Sequence, residues 1–220
     1  MNFEQARSNM VLNQLRANRI SNPTLIDQIE SFPRETLYPK NQQHLAYSDR
    51  IIALEDGRFI LPPLTSFHLV QALGGIENKK LLEIGSGFGT TTSILSKFTQ
   101  KIDCIENSKE MITSFQESLK NNLFKANLLK NSIEDFFFNK KIELKKYERI
   151  LINGSIDKEP LDILEKAPNG MVLVCIVDNA EYKHKIMKYV KVDNNTTRFI
   201  VDEASSAYIY KYVTKQPFVF

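Results

Sequence analysis

Histidine and cysteine are scarce in this sequence: three His and two Cys among 220 residues. His44, His68 and His184 lie far apart and match no ligand spacing, so no metal site is expected. Cys104 and Cys175 each sit alone in an apolar run ("IDCIE", "VLVCIV"), which reads as two buried thiols rather than a disulfide. No window approaches eighteen apolar residues, so no membrane span is expected. The first twenty residues carry Glu4, Arg7, Arg16 and Arg19 and lack the unbroken apolar stretch of a secretory signal. The cytoplasm is the expected compartment. A dominant charge is missing too: 29 Lys and Arg face 26 Asp and Glu, for a net charge of +3. That excess is too small to imply nucleic acid or a membrane surface, and the densest basic run, Asn139–Lys146, carries Glu143 and reads as a solvated face.

The composition, 42% apolar and 25% charged, is that of a soluble globular chain. The length fits one domain with a modest extension. Phe3, Ala6, Met10 and Leu15 fall near one face of a helix. A second helix starts at Asn22-Pro23, with Leu25, Ile26 and Ile29 as its buried side. Asp56-Gly57 reads as a turn, and a helix runs from about Thr65 to Gly74-Gly75. From Lys79 onward strands and helices alternate. "KKLLEIG", "KIDCIE", "ANLLKN", "YERILIN" and "GMVLVCIV" read as strands. "TTTSILSKF", "SKEMITSFQESLKNN" and "EPLDILEKA" read as helices, the second opened by an Asn107-x-x-Glu110 capping box. "KIMKYVKV" and "TRFIV" read as an antiparallel hairpin. The fold class is α/β: a doubly wound, seven-stranded Rossmann-like sheet ending in that hairpin. Residues 1–78 form an N-terminal helical extension on the substrate side, and residues 79–220 the ligand-binding domain.

A third glycine is absent where a dinucleotide fingerprint would want it. Gly85, Gly87 and Gly89 give G-x-G-x-G, and position 90 is Thr90. No G-K-[ST] follows, which excludes a P-loop. What is left is a loop that lets a nucleoside lie close without its phosphates, or a glycine turn kept only for tight packing. Glu106 ends the next strand, 23 residues after Glu83. A carboxylate there is placed to accept the two hydroxyls of a ribose, although alone it would read as a solvated charge at a helix start.

"LLEIGSGFGTTTSIL" resembles the first motif of S-adenosylmethionine-dependent methyltransferases. "RSNMVLNQL" (Arg7–Leu15), "FPRETLYPKNQQHLAYSD" (Phe32–Asp49) and "YERILINGSIDKEP" (Tyr147–Pro160) are similar, in order and spacing, to segments of the protein-L-isoaspartate O-methyltransferase family. The resemblance implies S-adenosylmethionine as cofactor. It implies contacts at Glu83, Gly85, Ser86, Gly87, Gly89 and Glu106, with Asn107 beside it, Asn131 and Ser132 against the adenine, and Asn153 at the fourth strand's tip. Asp49 and the segment Arg58, Phe59, Ile60, Leu61 and Pro63 fall on the substrate side.

That segment is also where the sequence departs from the family, whose members carry G-Q-T-I-S-x-P where this chain has "GRFILPP". Phe59 stands for threonine and Leu61 for serine, so hydroxyls that position a substrate carboxyl are lost. Thr65 and Ser66 are either replacement hydroxyls or N-caps. Pro62-Pro63 reads as a rigid turn, and "NGSI" stands where amine-methylating relatives carry [D/N]-P-P-[aromatic]. Arg58 is the one new polar group, able to pair with an anionic acceptor or to face solvent. The leading expectation is a carboxyl methyltransferase acting on protein or peptide. The alternatives are a divergent methyltransferase with another acceptor, or a non-catalytic relative acting by interaction. The oligomeric state is not legible. The closing "QPFVF" (Gln216–Phe220) reads as a docked strand edge or a partner patch, docking being preferred.

Overall fold

The structure is a computed structural model, and it describes residues 2–138, 141–193, 195–204 and 206–212; the "QPFVF" end lies outside them. The chain opens with α1 (Phe3–Asn9), a π-turned stretch (Met10–Leu15) and a 3-10 turn (Arg16–Asn18). Helix α2 (Pro23–Ser31) starts as its sequence predicts, with the Asn22 side chain accepting from Leu25 N–H and Pro23 in the first turn. Strands β1 (Ile52–Ala53) and β2 (Phe59–Ile60) pair antiparallel around the Asp56-Gly57 turn, with Gly57 at φ 81°. Helix α3 spans Pro63–Leu73. Its N-cap is Pro62, with Pro63 inside the first turn, so the helix begins two residues earlier than expected and Thr65 and Ser66 are buried helical residues rather than caps.

The alternating part follows: β3 (Leu81–Ile84), α4 (Thr90–Leu95), β4 (Ile102–Ile105), α5 (Lys109–Lys120), β5 (Asn127–Leu128), α6 (Ile133–Phe137), β6 (Arg149–Ile156), α7 (Leu161–Leu164) and β7 (Val172–Val177). Strands β8 (Lys185–Val192), β9 (Asn195–Glu203) and β10 (Tyr208–Tyr210) end it. The sheet order is β5-β4-β3-β6-β7-β8-β9, with β10 paired to β6. Strands β3 to β7 run parallel, and β8 and β9 form the expected antiparallel hairpin. Sequence reasoning missed α6, the small β1–β2 sheet and the eighth strand, β10, which are too short to show a period.

Period-2 alternation splits the core between the two faces of the sheet. Leu81, Leu151, Val172, Val174 and Ile176 join one cluster with the N-terminal residues and α3, α4 and α5. Leu82, Ile84, Ile150, Ile152, Leu173 and Val177 join the other with α6 and α7. Cys104 and Cys175 are buried, unpaired thiols. The capping box expected at Asn107-x-x-Glu110 is not formed. Ser108 caps α5 by accepting from Met111 N–H, while Asn107 Oδ1 accepts from Ile133 N–H and so ties α6 to the strand tip. The box that does form is Ser132 with Asp135, at the start of α6.

The N-terminal residues share the first cluster, and Met10, Val11, Leu15 and Ile20 are at most 1% exposed. Burial of each such side chain contributes about 1.5–3 kcal/mol. Deleting residues 1–20 is therefore expected to lower the thermal midpoint by on the order of 10 °C or more. An unchanged midpoint in thermal unfolding would overturn this expectation.

Candidate active site

The β3–α4 turn is built from positive-φ glycines: Gly85 at 76°, Gly87 at 58° and Gly89 at 90°. They do different work. Gly85 and Ser86 N–H both donate to Ile105 O, which pins the turn to the end of β4. Gly89 is a packing glycine, because an added Cβ would come within 2.7 Å of the Phe124 ring. Gly87 N–H donates to Glu106 Oε2 at 2.8 Å. Asn107 and Ser108 N–H donate to Oε1 at 2.8 and 3.0 Å. Three backbone donors thus hold the carboxylate at the tip of β4.

Its remaining partner is Arg58. Nε donates to Oε1 at 2.7 Å and Nη2 to Oε2 at 2.9 Å, a bidentate pair. Arg58 is neither solvent-facing nor free for an acceptor, as the sequence left open: it is 8% exposed and Glu106 4%. The Asp56-Gly57 turn aims it inward, with Asp56 Oδ1 accepting from Arg58 N–H at 3.1 Å, and its guanidinium lies 5.0 Å from the Phe59 ring centroid. Burial alone would raise the Glu106 pKa. The hydrogen bonds and charge of Arg58, with the backbone donors, outweigh that and hold it below its ordinary 4.5.

A pH dependence follows. Below about 4.5 the unfolded chain protonates Glu106 while the folded chain does not, so this contribution to stability is present above that pH. It is lost as pH falls through the lower folded value. Asp103 acts with the same sign: burial raises it, but hydrogen bonds from Lys80, Tyr147 and Asn127 hold it below 3.8. Denaturant midpoints are expected to fall steeply below pH 4.5, and less steeply in Glu106→Gln. Equal slopes in the two proteins would contradict the assignment.

Glu83 is fully buried under the glycine turn. Its carboxylate accepts from Thr91 Oγ1, from Thr92 Oγ1 at 2.6 Å and from Asn153 Nδ2 at 2.7 Å. Burial pushes its pKa up, and these three donors oppose the shift. The residue braces the turn from below, and Asn153 bridges β6 to it.

The other expected residues divide. Arg58, Phe59, Ile60, Leu61, Gly85, Ser86, Gly87 and Asn153 line one chamber with Tyr38, Ser66, Phe88 and Met111. Tyr38 packs on Phe88 with the rings tilted at 42° and 4.8 Å between centroids, which brings the N-terminal region onto the glycine turn. Asn107 lines a neighbouring cleft with Asp56, Gly57, Arg58, Ile133, Glu134 and Ile209. Ser132 caps α6 beside it, and Asn131 is half-buried next to Ser132. Asp49 is not with them. It is exposed and lines a separate cavity with Thr65 and His68, because the chain turns away between Ser48 and β1. Pro63 is a buried helix-start residue that does not line the chamber. Ser66, read from sequence as a replacement hydroxyl or an N-cap, lines the chamber; Met111 and Ile209 were missed, and no local motif marks them.

A carboxylate just past the tip of β4 beside a positive-φ glycine turn, in a doubly wound sheet, is the arrangement of a Rossmann-like, nucleoside-binding class of protein. A family model described as "Protein-L-isoaspartate(D-aspartate) O-methyltransferase (PCMT)" matches residues 6–215, and the chain belongs to that family. It is 24% identical over 187 residues to the protein-L-isoaspartate O-methyltransferase of Picosynechococcus sp., covering 85% of this chain and 83% of that one. It is also 24% identical over 199 residues to that of Maricaulis maris, at 90% and 91% coverage. In fold it is similar to a beta-aspartate methyltransferase of this family from Plasmodium falciparum, in complex with S-adenosyl-L-homocysteine. That match has a TM-score of 0.72 at 14% identity, over 96% of this chain and 99% of that one. The family's enzymes use S-adenosylmethionine and act on proteins.

The residues fit such a cofactor in kind. Arg58 Nη1, Ser86 Oγ and Asn153 Oδ1 are buried without a protein partner, and all three residues line the chamber. Gathered at one place, they leave donors and acceptors for water or a polar ligand. The room is another matter: the chamber measures about 30 Å³, space for one or two waters and far below a nucleoside. Among the described residues no group of three His, Cys, Asp or Glu could hold a metal, and no helix is long and apolar enough to cross a membrane.

Proposed function

We propose that this chain transfers a methyl group from S-adenosylmethionine to a carboxylate on a protein, holding the cofactor at Gly85–Gly87 and Glu106. The observation that carries this reading is the Glu106 carboxylate, held by three backbone donors beside the glycine turn. When bound, the cofactor supplies the electrophilic methyl. An acceptor carboxylate has an ordinary pKa near 4, so it is ionised at neutral pH and needs no general base. The residues' work is to orient the acceptor and keep water out.

Phe59, Ile60, Leu61, Tyr38 and Phe88 give the chamber an apolar wall. Of the segment from Gly57 to Ser66, only Ser66 brings a hydroxyl to it, while Thr65 lines the separate cavity. Ser66 is therefore the replacement donor for the acceptor, and residues 1–78 are its substrate-side cover. Two buried, unpaired cysteines suit a reducing compartment, and we place the protein in the cytoplasm. Calorimetric titration with S-adenosylhomocysteine tests the reading. Saturable one-site binding that is weakened in Gly87→Val supports it, and absence of binding at millimolar ligand by both the wild type and Arg58→Gln would overturn it.

A further inference from the structure

The carboxylate that the proposed function gives to a nucleoside is already occupied by the chain itself. We propose that Arg58 and Ile209 form a displaceable partition across the cofactor crevice. In this proposal the Arg58 guanidinium stands on Glu106 in place of a nucleoside's hydroxyls, and S-adenosyl ligands enter only by displacing it. The inference rests on reading Glu106 as the nucleoside's acceptor.

Two cavities meet at this pair. The chamber of about 30 Å³ lies on one side, walled by Phe59, Leu61 and Asn153. A cleft of about 420 Å³ lies on the other, lined by Asn107, Ile133 and Glu134. Arg58 lines both, and Ile209 lines the cleft while reaching the turn. A Cβ added at Gly85 would meet Ile209 Cδ1 at 2.2 Å and Arg58 Nη2 at 3.0 Å. The open face that glycine provides for close approach of a ligand is therefore filled by two side chains of the same chain. With both withdrawn, chamber and cleft become one crevice.

The backbone shows how Ile209 arrives. Strand β6 pairs with β3 as far as Ile152 opposite Ile84, where β3 ends. Further along, Ser155 pairs with Tyr208, so β10 continues the line of β3 over the glycine turn. Gly154 admits it: a Cβ there would meet Ile209 Cβ at 2.7 Å and Phe59 Cζ at 2.9 Å. Only three residues make up β10, with a supporting bond from Ser155 N–H to Ala207 O at 2.9 Å. Its other ties are the Tyr208 hydroxyl donating to Asp178 and Tyr210 stacked on the Phe137 ring, contacts that opening must break along with the short ladder.

The charges are arranged for exchange. Without Arg58, Glu106 keeps its three backbone donors and stays an acceptor. Arg58 has a second carboxylate close by in Asp56, whose side chain already accepts from its backbone and which lines the open cleft. Meanwhile Nη1, buried and unpartnered, is a contact the closed state does not satisfy.

The test compares wild type with Arg58→Gln, Ile209→Ala and the double variant, using S-adenosylhomocysteine in calorimetry and hydrogen exchange. A closed population of about 90% lowers apparent affinity about tenfold, and a larger one lowers it more. The double variant is expected to bind at least tenfold more tightly than wild type. In wild type, which needs no substitution, ligand is expected to accelerate exchange of the Ser155 amide and of the amides of 208–210. Wild-type binding as tight as the double variant's, or unchanged Ser155 protection at saturation, would overturn the partition and leave the methyltransferase reading standing. No binding by any of the four proteins would overturn both.

Discussion

Replacing Glu106 by alanine is expected to destabilise the protein by about 3–5 kcal/mol, the usual cost of removing one partner from a buried ion pair. In its buried place Arg58 would then lose both bonded carboxylate oxygens with Nη1 already unpartnered, and a move to Asp56 at the cleft would recover only part of that loss. The loss is not symmetric. Arg58→Met leaves Glu106 with the N–H groups of Gly87, Asn107 and Ser108, so its cost is expected nearer 1–2 kcal/mol, that of hydrogen bonds exchanged rather than a charge stranded. Arg58→Met with Glu106→Gln keeps an acceptor for those three donors and removes both charges. It is expected within about 2 kcal/mol of wild type, and with Glu106→Gln measured as the second single variant it closes a double-mutant cycle with a clear coupling energy. Denaturant midpoints decide it. An Arg58→Met loss as large as that of Glu106→Ala would show that the backbone donors do not sustain the carboxylate.

Transfer to isoaspartyl peptides is expected to be slower than in a standard member of the family by about 30- to 10³-fold. Phe59 and Leu61 are buried in the chamber wall, at the positions where the family resemblance implies a threonine and a serine. Each hydroxyl that positions an anionic acceptor is worth roughly 2–4 kcal/mol when it acts like an oxyanion donor, and each 1.4 kcal/mol is tenfold in rate. Ser66 supplies one hydroxyl against the two lost. Phe59 also fills space, with its ring under the Arg58 guanidinium and against Gly154. Phe59→Thr with Leu61→Ser therefore restores chemistry and loosens the partition together. The informative comparison is that pair alone and in the Arg58→Gln background, with peptide turnover and S-adenosylhomocysteine affinity measured side by side. Turnover by the wild type equal to that of a standard family enzyme would refute the expectation.

The sequence by itself determined the architecture. Alternating apolar runs marked five parallel strands and the closing hairpin, because four of those five strands have four residues or more and each run is separated from the next by a polar or helical stretch. It also placed the glycine turn and Glu106, which follows a strand end that the alternation locates, whereas Glu83 and Asn153 came from the family resemblance and lie inside β3 and β6. Short elements escaped it. β10, with three residues, and α6, with five, hold their positions through packing partners distant in sequence rather than through any local pattern. The same reason hid the Arg58–Glu106 pair: 48 residues separate the two, and a lone arginine after a turn reads locally as a surface charge. Asn107 likewise has the composition of a helix cap, yet it satisfies Ile133 because α6 folds back onto the strand tip. Which side chains fill the crevice was decided only when the β1–β2 hairpin and β10 came down over the glycine turn. Burial there turns an isolated cation into one that must find a carboxylate, and the tip of β4 is where it finds one.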